Sequence, residues 1–228
     1  MFDQFTPKGR ILAAALACAA TKRWDDVTLL DIAEAAKLPL VDLRNEFRSK
    51  TDIVAGLLRA VDDEVLKRAP KRTADQTARD ALFDIVMTRF DVLGPYKKAL
   101  QSISASGPAD LALARPVLAS MHWMLEAAGI NTDGAAGSLR VTGLAAVYAS
   151  VFRTWLEDDD PGHARTMAAL DRRLRRGESA IRNVEQVTSV VQRLATDGPA
   201  FLRSVLRGRP TPPPPPPPPG QSSEAGLP

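Results

Sequence analysis

"DIAEAAKLPLVDLRNEFRSKTDI", Asp31 to Ile53, decides the fold. Thr28 stands just ahead of the apolar-periodic run Leu29, Ile32, Ala33, and Asp31 follows it three residues on. A hydroxyl and an acid at that spacing satisfy each other's backbone N–H groups as a capping box, so a helix is predicted over Leu29–Ala36. "KLP" breaks it, and a short helix follows from about Leu40 to Phe47. Ser49 caps a fourth helix, with Asp52 placed where a negative charge suits the helix dipole. Its inner face is Ile53, Val54, Leu57, Leu58, Val61 and Val65, and Pro70 closes it. Upstream, Pro7 and Lys8 open a first helix that runs to about Arg23 with Ile11, Leu12, Ala15, Leu16 and Ala19 on its apolar side, and Trp24 plugs its end. The outline is a helix-turn-helix leading into a long connecting helix.

Whether this unit reads DNA is a question of charge. From Val27 to Lys50 the cations are Lys37, Arg44, Arg48 and Lys50, and the anions are Asp31, Glu34, Asp42 and Glu46, so the segment is neutral. Phosphates are gripped by Lys, Arg, hydroxyls and helix N-termini. Here Asp42 falls in the first turn of the second helix of the motif, beside Leu40 and Val41. Arg44 and Asn45 still carry the donors that recognise guanine and adenine edges. The candidate DNA contacts are Lys37, Arg44, Asn45, Arg48 and Lys50. Two readings stand side by side: a weakened DNA-binding unit, and a helix-turn-helix kept as a structural module.

The bulk properties are compatible with either. The chain has 228 residues, 45% of them hydrophobic, enough for one or two domains with a real core. Lys plus Arg is 30 against 27 for Asp plus Glu, and a net charge of +3 gives little long-range pull on polyanions. A single cysteine, Cys18, excludes an intramolecular disulfide and suits a reducing cytosol. It lies in an Ala-rich run and reads as a small core residue. "ILAAALACAA" mimics a secretory signal, but "TKRWDD" follows at once and the helical register continues. No apolar stretch reaches membrane-spanning length by this reading, so a cytoplasmic protein is expected, with peripheral contact at the inner face of the membrane as an added expectation.

After the linker "APKRTADQT", helices are predicted at Ala78–Leu93, Tyr96–Ser104, Pro108–Ala128, Gly137–Leu156, Ala164–Arg176 and Ser179–Ala195. The expected domains are 1–70 for the helix-turn-helix unit and 77–195 for a helical ligand-binding and dimerisation domain. In 198–210, Phe201, Leu202, Val205 and Leu206 share one helical face while Arg203 and Arg207 supply cations, the pattern of a short helix lying on anionic lipid. A final helix packing back on the domain fits the same pattern. Residues 211–228, with "TPPPPPPPPG", read as a Pro-rich disordered tail. The fold class is all-α.

The frame "TLLDIAEAA" with Leu43, Phe47, Ser49 and Lys50 resembles the TetR family of one-component regulators. That resemblance implies a ligand-responsive regulator working as a homodimer. Lys37 stands where such proteins usually place a turn glycine. The second block resembles the ubiquinone (coenzyme Q) biosynthesis accessory proteins, helical lipid binders with a TetR-like fold. The markers are "RD" at Arg79–Asp80, "RFDVLGPY" at Arg89–Tyr96, "SMHW" at Ser120–Trp123, and the "D-x-x-P…T…LD-R-R" ending near Asp158–Arg173. The resemblance implies a hydrophobic or lipid ligand, a quinone-pathway hydroxylase as partner, and support for ubiquinone synthesis without catalysis. Met121, Met124, Leu125, Leu144, Tyr148 and Phe152 are the candidate ligand contacts, being large or adaptable apolar residues on two neighbouring helices. The same stripe also fits plain core or a dimer face.

Nothing in the sequence calls for chemistry. His122 and His163 sit on different helices without ligands at metal spacing. "EDDDPG", Glu157–Gly162, reads as a helix stop and a cap. No catalytic residue, metal or cofactor is expected.

Overall fold

The computed structural model describes residues 2–106 and 111–177, whose regular elements are all helical. Helix α1 spans Pro7–Thr21, α2 Leu29–Ala35, α3 Leu40–Glu46 and α4 Lys50–Arg68. Then come α5 Ala78–Leu93, α6 Lys97–Ala105, α7 Ala114–Ala127, α8 Gly134–Leu156 and a helical segment over 164–177, here α9. These residues fall within one packed unit.

The caps form where the sequence places them. Thr28 Oγ1 accepts from Asp31 N, and the Asp31 carboxylate accepts from Thr28 N at 2.7 Å. That backbone donor, helped by the Lys22 ammonium, holds the Asp31 carboxyl down to about 2. Ser49 and Thr77 cap α4 and α5 in the same way, through Asp52 N and Asp80 N.

The α2–α3 turn carries the conformation that the missing glycine implies. Lys37 has φ of 53°, in the left-handed region that L side chains reach at a cost. Arg10, on α1, compensates: its guanidinium donates to Ala36 O at 2.6 Å and to Lys37 O at 2.7 Å. Phe47 and α4 close the three-helix unit from the other side. Gly56 lets the ring of Phe47 lie directly against α4, since a Cβ there would be 2.6 Å from Phe47 Cε1.

The helix-turn-helix unit is bonded to the second block through α6, which packs along α1. Trp24 N donates to Ser102 Oγ, and Ser102 Oγ donates on to Lys22 O. Helix α4, about 28 Å long at 1.5 Å per residue, packs on both α5 and α7, and α7 packs on α8.

Three expectations need correction or placement. The helix read from Pro108 begins at Ala114, after a 3₁₀ turn at Leu111–Leu113; the proline inside its first turn is Pro116. A proline is tolerated there because the early N–H groups of a helix have no partner within it. Helix α8 has 23 residues, and an 18-residue stretch of it reaches a mean hydropathy of 1.3, long and apolar enough to cross a membrane by length and composition. The expectation of no spanning stretch rests on uninterrupted apolar runs, and Arg140 and Arg153 interrupt this one. The helix expected at Ser179–Ala195, the amphipathic segment 198–210 and the tail 211–228 lie outside the described residues.

Two substitutions test this account of the helix-turn-helix. Gly56→Ala improves helix propensity by about 1 kcal/mol but drives a methyl into the buried Phe47 ring, at an overpacking cost of about 1–3 kcal/mol. A net loss of about 1 kcal/mol is expected in urea denaturation, and a gain in stability would contradict the packing described. Lys37→Gly removes about 1–2 kcal/mol of left-handed strain and adds about 0.5–1 kcal/mol of chain entropy. A stabilisation of up to about 1 kcal/mol should appear as a raised Tm.

Candidate functional site

The centre of the second block is a buried guanidinium. Arg89, from α5, is 1% exposed and forms an ion pair with Asp62 of α4. Its Nε donates to Tyr148 Oη at 3.1 Å, and its Nη2 lies 3.5 Å from Ser120 Oγ. Ser120 Oγ in turn donates to Asp62 Oδ2 at 2.6 Å. Four helices, α4, α5, α7 and α8, each contribute one member. Burial alone would push the Arg89 pKa down, but Tyr148 and Asp62 outweigh it and the pKa is raised. Burial pushes the Tyr148 hydroxyl up, against the pull of Arg89.

Tyr148 joins this polar knot to a ladder of rings. Phe90 stacks on Tyr148 at 5.6 Å and on Trp155 at 5.3 Å, and Phe152 stacks on Tyr148 and Trp155 at 5.8 and 5.6 Å. The Lys97 ammonium lies 5.5 Å from the Trp155 ring centre and donates to Asp158 O. Trp155 is fully buried, and its indole N–H meets no acceptor among the described residues. A buried donor left unmade costs about 1–3 kcal/mol.

The six apolar candidates separate into two sets. Met121, Met124, Leu125 and Leu144 are buried in the core that α7 and α8 share. Tyr148 and Phe152 are only half-buried and carry the ladder to the surface. The outward face of α8 bears Leu139, Thr142, Gly143, Ala146 and Ala149, and Trp123 stands 51% exposed on α7 with His122 edge-on to its ring. The sequence reading missed Asp62 and Ser120; an acid and a serine in apolar helices at Val61–Asp62 and Ser120–Met121 were the available signal.

On the helix-turn-helix, Lys37, Arg44, Asn45 and Arg48 are exposed. Lys50 is not presented with them. Its ammonium donates to Trp24 O and Val27 O and lies 4.8 Å above the Trp24 ring, clamping the 3₁₀ turn Trp24–Asp26. The surface beside the exposed cations is apolar, with Val41 57% exposed and Leu30 and Leu40 about half exposed.

"EDDDPG" is a cap. The Asp158 carboxylate is buried and accepts from Thr166 N at 2.9 Å and Thr166 Oγ1 at 2.7 Å, which holds its pKa low. Asp160 accepts from Ala164 N. Both start α9. Cys18 is half-buried with its thiol 3.8 Å from Asp31 O, and burial pushes its pKa up.

This architecture has solved counterparts. A TetR transcriptional regulator from Nitrosomonas europaea ATCC 19718 superposes with a TM-score of 0.59 at 24% identity, over 75% of this chain and 97% of that one. A TetR transcriptional regulator from Rhodococcus sp. RHA1 gives 0.53 at 18% identity over 77% and 96%. A TetR-family regulator from Streptomyces coelicolor gives 0.53 at 16% over 88% and 96%. No curated protein matches the chain. Residues 139–180, which take in most of α8, the Asp158 cap and α9, match the COQ9 family. The chain therefore has a TetR-like fold with a COQ9-like C-terminal part.

Proposed function

We propose that this protein is a non-enzymatic accessory of ubiquinone biosynthesis that binds a hydrophobic, isoprenoid-type ligand against α8. The observation that carries the reading is the place of the COQ9 match: it falls on the helix that bears Tyr148, Phe152 and Trp155. The half-buried rings of Tyr148 and Phe152 suit a flexible apolar chain. A quinone-pathway hydroxylase is the enzyme such an accessory would serve. The helix-turn-helix supports this assignment by what it presents: an apolar, electrically neutral face, with Lys50 turned to the protein's own carbonyls.

A second reading, a ligand-responsive DNA-binding regulator, is favoured by the exposed Arg44, Asn45 and Arg48 and by neighbours that are themselves TetR regulators. Mass spectrometry of organic extracts from the purified protein separates the two. An isoprenoid lipid or quinone is expected in the extract, with a fall in cellular quinone on deletion. A lipid-free protein and unchanged quinone, together with a salt-dependent gel shift specific for its own promoter, would replace the first reading by the second.

The protein acts as a homodimer in this proposal. Trp123 and the small-residue face of α8 are the surface offered to a second copy, in an isologous contact. Ala146 is exposed, so Ala146→Arg should leave the protomer folded and yield monomer by light scattering at high micromolar concentration. A variant that stays dimeric would move the interface elsewhere, and monomeric wild-type protein would end the proposal.

A further inference from the structure

A cavity of about 380 Å³, lined by none of the ladder's rings, lies between the outer side of α1 and the turn that starts α6. It is an open groove, and the α1 side of it is made by alanines one helical turn apart, Ala13, Ala17 and Ala20. Two rings wall it: Phe2 and Tyr96 meet at 5.6 Å between centroids with planes tilted by 60°. The size falls within the roughly 300–1,000 Å³ usual for small-molecule sites. The polar groups at the rim are the Gln4 amide, the Tyr96 hydroxyl and the Lys98 ammonium, and none has a hydrogen-bond or ion-pair partner among the described residues. All three can donate, and no Asp or Glu lines the cavity.

The geometry points to a binding site for a small aromatic carboxylate. Tilted rings accept a further ring edge-on, and the chain already places one of its own, Phe2, in this groove. The Lys98 cation and the two neutral donors are complementary to a carboxylate at the mouth. Because α1 belongs to the helix-turn-helix unit and Tyr96–Lys98 to the second block, an occupant touches both and stiffens the joint that Ser102 already bonds.

The experiment is a titration of the full chain with benzoate, followed by calorimetry and by backbone amide NMR shifts. Benzamide and cyclohexanecarboxylate are the controls for charge and ring. Benzoate is expected to bind with a Kd of about 0.1–1 mM and to shift amides of α1 and of Tyr96–Lys98. Benzamide and cyclohexanecarboxylate should each bind several-fold more weakly. Lys98→Met should weaken benzoate about tenfold, as loss of one charge-assisted hydrogen bond would, and leave benzamide unchanged. Ala17→Phe should fill the groove and abolish binding; Ala17 faces solvent, and an unchanged Tm verifies the fold. Equal affinity for benzamide or cyclohexanecarboxylate overturns the assigned ligand class. No amide shift at about 10 mM benzoate, or full binding by Ala17→Phe, overturns the site.

Discussion

A guanidinium taken out of water must be answered by charge and by hydrogen bonds, and Arg89 is answered from three other helices. Removing one partner of a buried ion pair costs several kcal/mol, because the other is left uncompensated. The positions of α4, α5, α7 and α8 are therefore not independent. Asp62 lies on α4, the helix that Ser49 caps, so the constraint also reaches the helix-turn-helix. The aromatic ladder leans on the same point, since Tyr148 both receives Arg89 and stacks on Phe90 and Phe152.

Features that depend on three or four neighbouring residues could be read from the sequence. Thr28 with Asp31, Ser49 with Asp52, and the bounds of α5 are local chemistry, and the structure carries them as read. So does the strained turn, because a lysine in place of glycine changes the cost of φ and not its value. Arg10 and Lys50 could not be read in their roles. Each reaches carbonyls more than twenty residues away, and nothing in a solvated-looking cation announces a backbone partner. The start of α7 was misjudged because Pro108 and Pro116 both satisfy the rule for a helix beginning, and only tertiary packing chooses between them.

The candidate site was legible in kind more than in detail. Alternation of Met, Trp, Tyr and Phe with small residues marked α7 and α8, but which of them are sealed and which reach the surface depends on rotation about the helix axis. Met121 and Leu144 turned inward, while Phe152 kept one side open. The "D-x-x-P…T" ending proved to be helix-capping chemistry: Asp158 and Thr166 are bonded to each other at the corner between α8 and α9. Similarity at those positions records how the chain turns.

The clamp made by Lys50 has an electrostatic consequence. A cation bonded to backbone carbonyls does not displace counterions from a nucleic acid, and each phosphate neutralised contributes about 0.9 to the logarithmic salt slope of duplex binding. With Lys50 held on Trp24 and Val27, only Lys37, Arg44 and Arg48 of the four cations in this segment remain to displace them. Whatever affinity this helix-turn-helix has for duplex therefore varies with ionic strength less steeply than the cation count of its sequence suggests.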